Sequence, residues 1–245
     1  MSKVGGDYIT QRQVSFVLIM FVFGSTLVFG IGIETEQDAW ISALFTLAMI
    51  TPTVIVYARI MSLFPGKNLF GIAKNLFGKT LGTIISILMS GYALQLGSAV
   101  LRNFTDFIQV STMPETPQLA VGLLMIICVI YLTKSGVTTF GKWAVLTCVI
   151  ICLVIVVTFS ASLRLIEVKN YLPVMNHSYK ELLTASYKQF ALPFAETVLF
   201  LGIADSLKKG DSPYRAYLQG ILVAGCLSVL ILLRNIGLLG PAMMD

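Results

Sequence analysis

Seven stretches of this sequence, at about 13–33, 38–60, 81–108, 118–133, 143–163, 187–205 and 216–239, are apolar over close to the roughly 20 residues a helix needs to cross about 30 Å of hydrocarbon. Few folds suit such a chain. Inside a bilayer no water is present to bond backbone N–H and C=O groups, so spanning segments close their hydrogen bonds internally, and runs of this length do so as α-helices. Composition agrees: 56% of the 245 residues are hydrophobic and only 12% charged, with mean hydropathy +0.86, where a soluble domain carries about a quarter charged residues. The expectation is an all-α multi-pass membrane protein forming one transmembrane domain over 1–245. The fourth span is the shortest and the sixth is interrupted. The longest non-apolar stretch is the loop from Arg164 to about Ser186, too short for a separate domain.

Charge orients the spans. Lys3, Arg12, Arg59, Lys67, Lys74, Lys79, Lys134, Lys142, Lys208, Lys209 and Arg215 fall on one side of a seven-span map. The other side has Glu34, Glu36, Asp38 and Glu115, with Arg164, Lys169, Lys180 and Lys188 gathered in one loop. By the positive-inside rule the N-terminus is cytoplasmic and Asp245 outside. Lys3 and Arg12 precede a long apolar run without a small-residue cleavage pattern, which reads as an uncleaved first span. The net charge of +5 is thus accounted for by topology in the lipid bilayer, with no call for nucleic acid.

Nothing in the sequence signals an enzyme, a cofactor or a metal. Cys128, Cys148, Cys152 and Cys226 lie in apolar spans, where a thiol behaves as a small hydrophobe. Cys148 and Cys152 share a helix face, but no His or carboxylate accompanies them as a metal site requires. The single histidine, His177, falls in the outer loop, away from any triad at membrane depth. Gly66-Lys67 lacks the earlier glycine of a phosphate loop, and G-x-S-x-G is absent.

Chemistry-bearing positions inside the spans are few. In Leu192-Pro193-Phe194-Ala195-Glu196-Thr197-Val198, a proline and a carboxylate interrupt an otherwise apolar sixth span. Proline removes a backbone donor, and a carboxylate at membrane depth must face protein, water or a ligand. Span 1 carries Gly24-Ser25-Thr26 near its middle and Gly30 and Gly32 beyond. Such a triplet could unwind the helix and expose backbone groups to a zwitterion, or simply allow close helix packing. Two interrupted spans five helices apart suggest an inverted repeat with a site between them. Glu196 could then bind a substrate amine, take up a proton or anchor an unwound first span; the plainer reading is a capping acceptor satisfied by backbone amides. Span 3 bears Tyr92 and Gln95 on one face, and Arg102 and Asp106 four residues apart near its outer end. That pair reads as an interfacial ion pair or an outer gate, and Arg234 in span 7 as a snorkelling cation.

At these residues the chain resembles a known family. Ile9-Thr10-Gln11-Arg12-Gln13 leading into span 1, Phe23-Gly24-Ser25-Thr26 within it, Trp40-Ile41 opening span 2, Gly91-Tyr92 in span 3, and Phe194-Ala195-Glu196-Thr197-Val198-Leu199-Phe200 followed by Lys208-Lys209 are similar to the B subunit of nutrient germinant receptors of endospore-forming bacteria. That family sits with the amino acid/polyamine/organocation transporters. The resemblance implies a ten-helix, five-plus-five inverted-repeat (LeuT-like) fold with broken helices 1 and 6, the first repeat at about 9–163 and a partial second at 187–245. It implies a nutrient germinant, often an amino acid, bound between spans 1, 3 and 6 by Gly24, Ser25, Thr26, Tyr92, Phe194, Ala195 and Glu196. Gln95, on the face of Tyr92, joins this set. Implied partners are the receptor A and C subunits in the inner membrane of the spore.

Family members continue through three more spans, whereas this sequence stops at Asp245. The expectation is a fragment or a truncated variant, with the site face closed by the eighth helix absent and the fold less stable than the whole. Three functions follow as alternatives: a sensor whose ligand shifts an equilibrium read by partner subunits, an amino acid permease with possible proton coupling through Glu196, or a scaffold subunit that binds nothing.

Overall fold

The computed structural model describes residues 7–29 and 32–240; Lys3, Gly30 and Asp245, named above, lie outside them. The described residues form seven α-helices: α1 Gln11–Phe29, α2 Ala39–Leu63, α3 Leu69–Ser111, α4 Gln118–Lys134, α5 Val137–Ser162, α6 Tyr179–Gln189 and α7 Pro213–Leu239. Among these residues, Ile33–Leu63, Leu69–Ser111, Val137–Leu165 and Pro213–Leu239 are long and apolar enough to cross a membrane, and α4 is a shorter apolar helix. The chain is an all-α multi-pass membrane protein: α1 to α5 and α7 stand at six of the seven apolar runs, and the sixth run, 187–205, is mostly π and 3₁₀ backbone following the end of α6.

Two elements depart from the sequence reading. α6 lies inside the stretch read as a loop; its start is a capping box in which Ser178 Oγ accepts from the Glu181 backbone and Glu181 accepts from the Ser178 N–H. Residues 69–77, ahead of the third span, are also helical. They are set off from it at Gly78, whose φ of +77° suits glycine alone without strain. A Cβ on Gly82 would fall 2.5 Å from Lys74 Cα, so this short helix folds back against the start of the span.

α1 and α7 form the centre, flanked by α2 and α5. Leu18, Val22, Ile50, Val54, Phe194, Leu201, Tyr217 and Ile221 make one buried cluster. Lipid tails are as apolar as leucine, so helices associate through close backbone approach more than through hydrophobic gain. Gly220 supplies that approach: a Cβ there would lie 2.8 Å from Leu18 Cβ and 3.1 Å from the Ser15 carbonyl. Ser15 Oγ also donates to the Ala216 carbonyl at 2.9 Å. By contrast α3, α4 and α5 turn Leu88, Leu94, Leu124, Ile127, Leu153 and Val156 outward, the surface lipid requires.

Polar ties close both ends. At the basic end Ile9 and Leu207 form a parallel bridge, with Ile9 N–H donating to Ser206 O and Lys208 N–H to Ile9 O, each at 2.9 Å. Asp7 caps α5 from a distance, accepting from Val137 N–H at 2.9 Å and Thr138 N–H at 3.1 Å. At the opposite end the fully buried Asp38 accepts from Met175 N–H at 2.7 Å and His177 N–H at 3.0 Å, with His177 Nδ1 at 3.2 Å. Hydrogen bonds to a charged acceptor contribute roughly 1.5–3 kcal/mol, so Asp38→Ala is expected to loosen the 173–178 loop by at least that much, seen as faster amide exchange at Met175 and His177. Exchange unchanged there would assign the loop's order to other contacts.

Arg102 Nε lies 3.8 Å from Asp106 Oδ2, both exposed, as an i, i+4 ion pair on α3. Asp106 also accepts from Gln118, which ties α3 to α4. Arg234 donates from Nε to Ser162 Oγ at 3.1 Å, tethering α7 to the end of α5.

Candidate functional site

The sixth segment breaks where Pro193 predicted. α6 runs regularly to Gln189, the backbone widens into a π turn over Phe190–Phe194, and Leu192 leaves helical geometry at φ −132°, ψ 117°. The chain then tightens into 3₁₀ backbone over Ala195–Ser206. Long 3₁₀ runs and π turns are uncommon and gather at functional hinges. Such a transition frees carbonyls from the i→i−4 ladder, and at membrane depth each needs a donor.

Side chains from two neighbouring helices and from the segment itself supply donors. Tyr57 of α2 donates its hydroxyl to the Ala195 carbonyl at 3.1 Å, and Tyr217 of α7 donates to the Thr197 carbonyl at 3.2 Å. Thr197 Oγ1 donates back to Phe194 O at 2.7 Å. The Tyr57 and Tyr217 rings meet edge to face with centroids 6.1 Å apart. Glu196 is 3% exposed, and Tyr92 of α3 donates its hydroxyl to Glu196 Oε1 at 3.4 Å. Tyr92 itself is 43% exposed, so the hydrogen bond to this buried carboxylate comes from a side chain at the protein surface. A carboxylate held by one long hydrogen bond retains acceptor capacity for another donor such as an ammonium.

The structure therefore brings Tyr92, Ala195 and Glu196 together. Phe194 is buried in the central cluster beside them. Gln95 is exposed and takes no part in the hydrogen bonds that tie this segment. The expected break in helix 1 is not present at Gly24, Ser25 and Thr26: α1 runs through all three. The reason lies in the hydroxyls, since Thr26 Oγ1 donates within the helix to Phe23 O at 2.9 Å and Ser25 is buried, so no free backbone group is exposed there. Gly24 serves packing, facing Phe104 of α3 at 3.9 Å from the Cβ it lacks. α1 is described as far as Phe29, and Gly32 has a φ of +72°.

Leu199 lines an apolar cavity of about 380 Å³ with Phe21, Leu132, Val137 and Phe200, apart from Glu196 and Tyr92. Tyr57 and Tyr217 escaped the sequence reading. The available signal was a phenol hydroxyl within an apolar helix, which must find an acceptor wherever it is buried.

The family model described as spore germination protein matches residues 8–245. Spore germination protein KB of Bacillus subtilis (strain 168) is 25% identical over 94% of this chain and 63% of its own length. Spore germination protein A2 of the same organism is 22% identical over 82% of the chain and 55% of its length, and spore germination protein GerQB of Bacillus cereus is 22% identical over 71% and 50%. The chain thus spans less than two thirds of the length of these relatives. No solved structure gives a significant match. The family model covers nearly the whole chain, the broken sixth segment with Glu196 included, and the chain belongs to the spore germination protein family.

Proposed function

We propose that this chain is the membrane subunit of a spore germinant receptor that binds a nutrient germinant, an amino acid, at the break of the sixth segment and passes the binding on to partner subunits. The observation that carries the reading is Glu196: a buried carboxylate, beside a helix break, with one long hydrogen bond from a half-exposed tyrosine. A carboxylate in that setting attracts an ammonium, and the neighbouring irregular backbone offers positions for the rest of a zwitterion. Tyr92, Ala195 and Glu196 form the site in this reading. α1 contributes as the wall carrying Gly24, Ser25 and Thr26, with Phe194 holding the segment in the core. The A and C receptor subunits are the proposed partners, in the inner membrane of the spore, with the N-terminus cytoplasmic. The division into a repeat at 9–163 and part of a second at 187–245 belongs to the same proposal.

An amino acid permease would use the same break. The two separate experimentally: the chain is reconstituted in vesicles and titrated with a labelled amino acid panel, then assayed for uptake. Saturable binding without accumulation supports the sensor, and accumulation supports the permease. Absence of binding to any amino acid, in the chain and in a relative of full length alike, overturns both and leaves a scaffold.

A further inference from the structure

The short helix Leu69–Phe77 plays no part in the site, and its faces are unequal. At 100° per residue, Leu69, Phe70, Ile72, Ala73, Leu76 and Phe77 fall within an arc of roughly 160°, with Gly71, Lys74 and Asn75 opposite. The protein covers only part of the apolar arc. Ile72 and Ala73 are buried, while Phe70, Leu76 and Phe77 are 36%, 57% and 55% exposed. Asn68 caps the helix, accepting from Gly71 N–H at 2.9 Å, and the elbow at Gly78 folds it back against Gly82. It therefore stands at the foot of the third span, between the end of α2 and the start of that span.

Charge decides which surface covers it. Arg59, Lys67, Lys74 and Lys79 lie in and around this helix, and no Asp or Glu occurs from Ala39 through Thr105. Lys208 and Lys209 belong to the same end, since they share a cavity of about 670 Å³ with Pro65 and Gly66. Asp205 and Asp211 also line that cavity, with Asp211 Oδ2 accepting from Gln11 N–H at 2.8 Å. α6 at the other end exposes Tyr179, Leu183 and Tyr187, but Glu181 lies between Lys180 and Lys188 within it, so the run of basic residues without a carboxylate from Ala39 through Thr105 distinguishes the Leu69–Phe77 helix.

We propose that Leu69–Phe77 lies in the membrane interface and binds anionic phospholipid headgroups: Phe70, Leu76 and Phe77 enter the acyl boundary, and Lys67, Lys74 and Lys79 meet phosphates. An amphipathic helix with lysines flanking an exposed aromatic face is the arrangement that holds to an anionic leaflet. The inference stands independently of the germinant reading.

The test places a reporter on the exposed face. The chain with Phe77→Trp is reconstituted in phosphatidylcholine nanodiscs containing either brominated phosphatidylglycerol or brominated phosphatidylcholine in equal amount, and the added fluorescence is measured against the parent. The expected result is quenching by both lipids and markedly more by the anionic one. Adding Lys67→Gln, Lys74→Gln and Lys79→Gln should remove that excess, at about fivefold in local affinity per lysine. These lysines are exposed, so the fold survives their replacement, which circular dichroism checks. Equal quenching by both lipids overturns the headgroup preference. Absence of quenching overturns the membrane assignment and makes this face a protein contact.

Discussion

Glu196→Gln is expected to lower amino acid binding by roughly 10- to 100-fold while leaving the helical content unchanged. The amide keeps the shape and still accepts from Tyr92, but it gives up the charge that an ammonium would pair with, and hydrogen bonds to a charged group contribute about 1.5–3 kcal/mol. Tyr92→Phe, which removes only a 3.4 Å hydrogen bond from a half-exposed ring, should have the smaller effect. Binding titrations on both variants in the same bilayer check the order. Wild-type affinity in Glu196→Gln would remove the carboxylate from the site and leave it as an acceptor that shapes the break.

Gly220→Val is expected to damage the central helix packing severely. The added carbons have nowhere to go: on one side stands Leu18 Cβ, on the other the Ser15 carbonyl, and neither is the free end of a flexible side chain. Overpacking of a well-filled contact costs about 1–3 kcal/mol, and here α1 must also separate from α7, which breaks the Ser15 Oγ hydrogen bond to Ala216. A fall in thermal midpoint, with loss of monodisperse protein in detergent, is the expected outcome. Gly24→Ala provides the contrast. Its Cβ would meet only Phe104 at 3.9 Å, ordinary contact distance, so that variant should be close to neutral. A neutral Gly220→Val would mean that α1 and α7 are not held by their close approach.

The places of α1 to α5 and α7 were legible because a membrane span needs an apolar run of matching length, and such runs stand out in any composition. The break at Pro193 was equally legible, since proline's missing N–H acts through the backbone whatever surrounds it. Gly24-Ser25-Thr26 misled for a local reason. Glycine and hydroxyl residues permit unwinding, but inside a helix the hydroxyl can bond back to the preceding turn, as Thr26 does to Phe23, and the sequence does not distinguish the two. α6 hid in an apparent loop because its charged and apolar residues alternate around an amphipathic helix, with Leu182, Ala185 and Ser186 inward and Tyr179, Leu183 and Tyr187 outward. A count of apolar residues misses that pattern, whereas the Ser178–Glu181 capping box would have marked its start. Tyr57, Tyr92 and Tyr217 come from helices far apart in sequence. Only tertiary packing decides that all three point at residues 195–197, and Tyr92 drew notice through Gln95 on its own helix face.

Hydrogen exchange across Phe190–Val198 tests the central claim most directly. The reconstituted chain is compared with and without the amino acid that binds it best, alongside Glu196→Gln. Ligand at the break predicts slowed exchange at Glu196, Thr197 and Val198 in the native chain and no slowing in the variant. Protection located elsewhere, or protection of this segment that persists in Glu196→Gln, would contradict the assignment of the germinant site to Glu196.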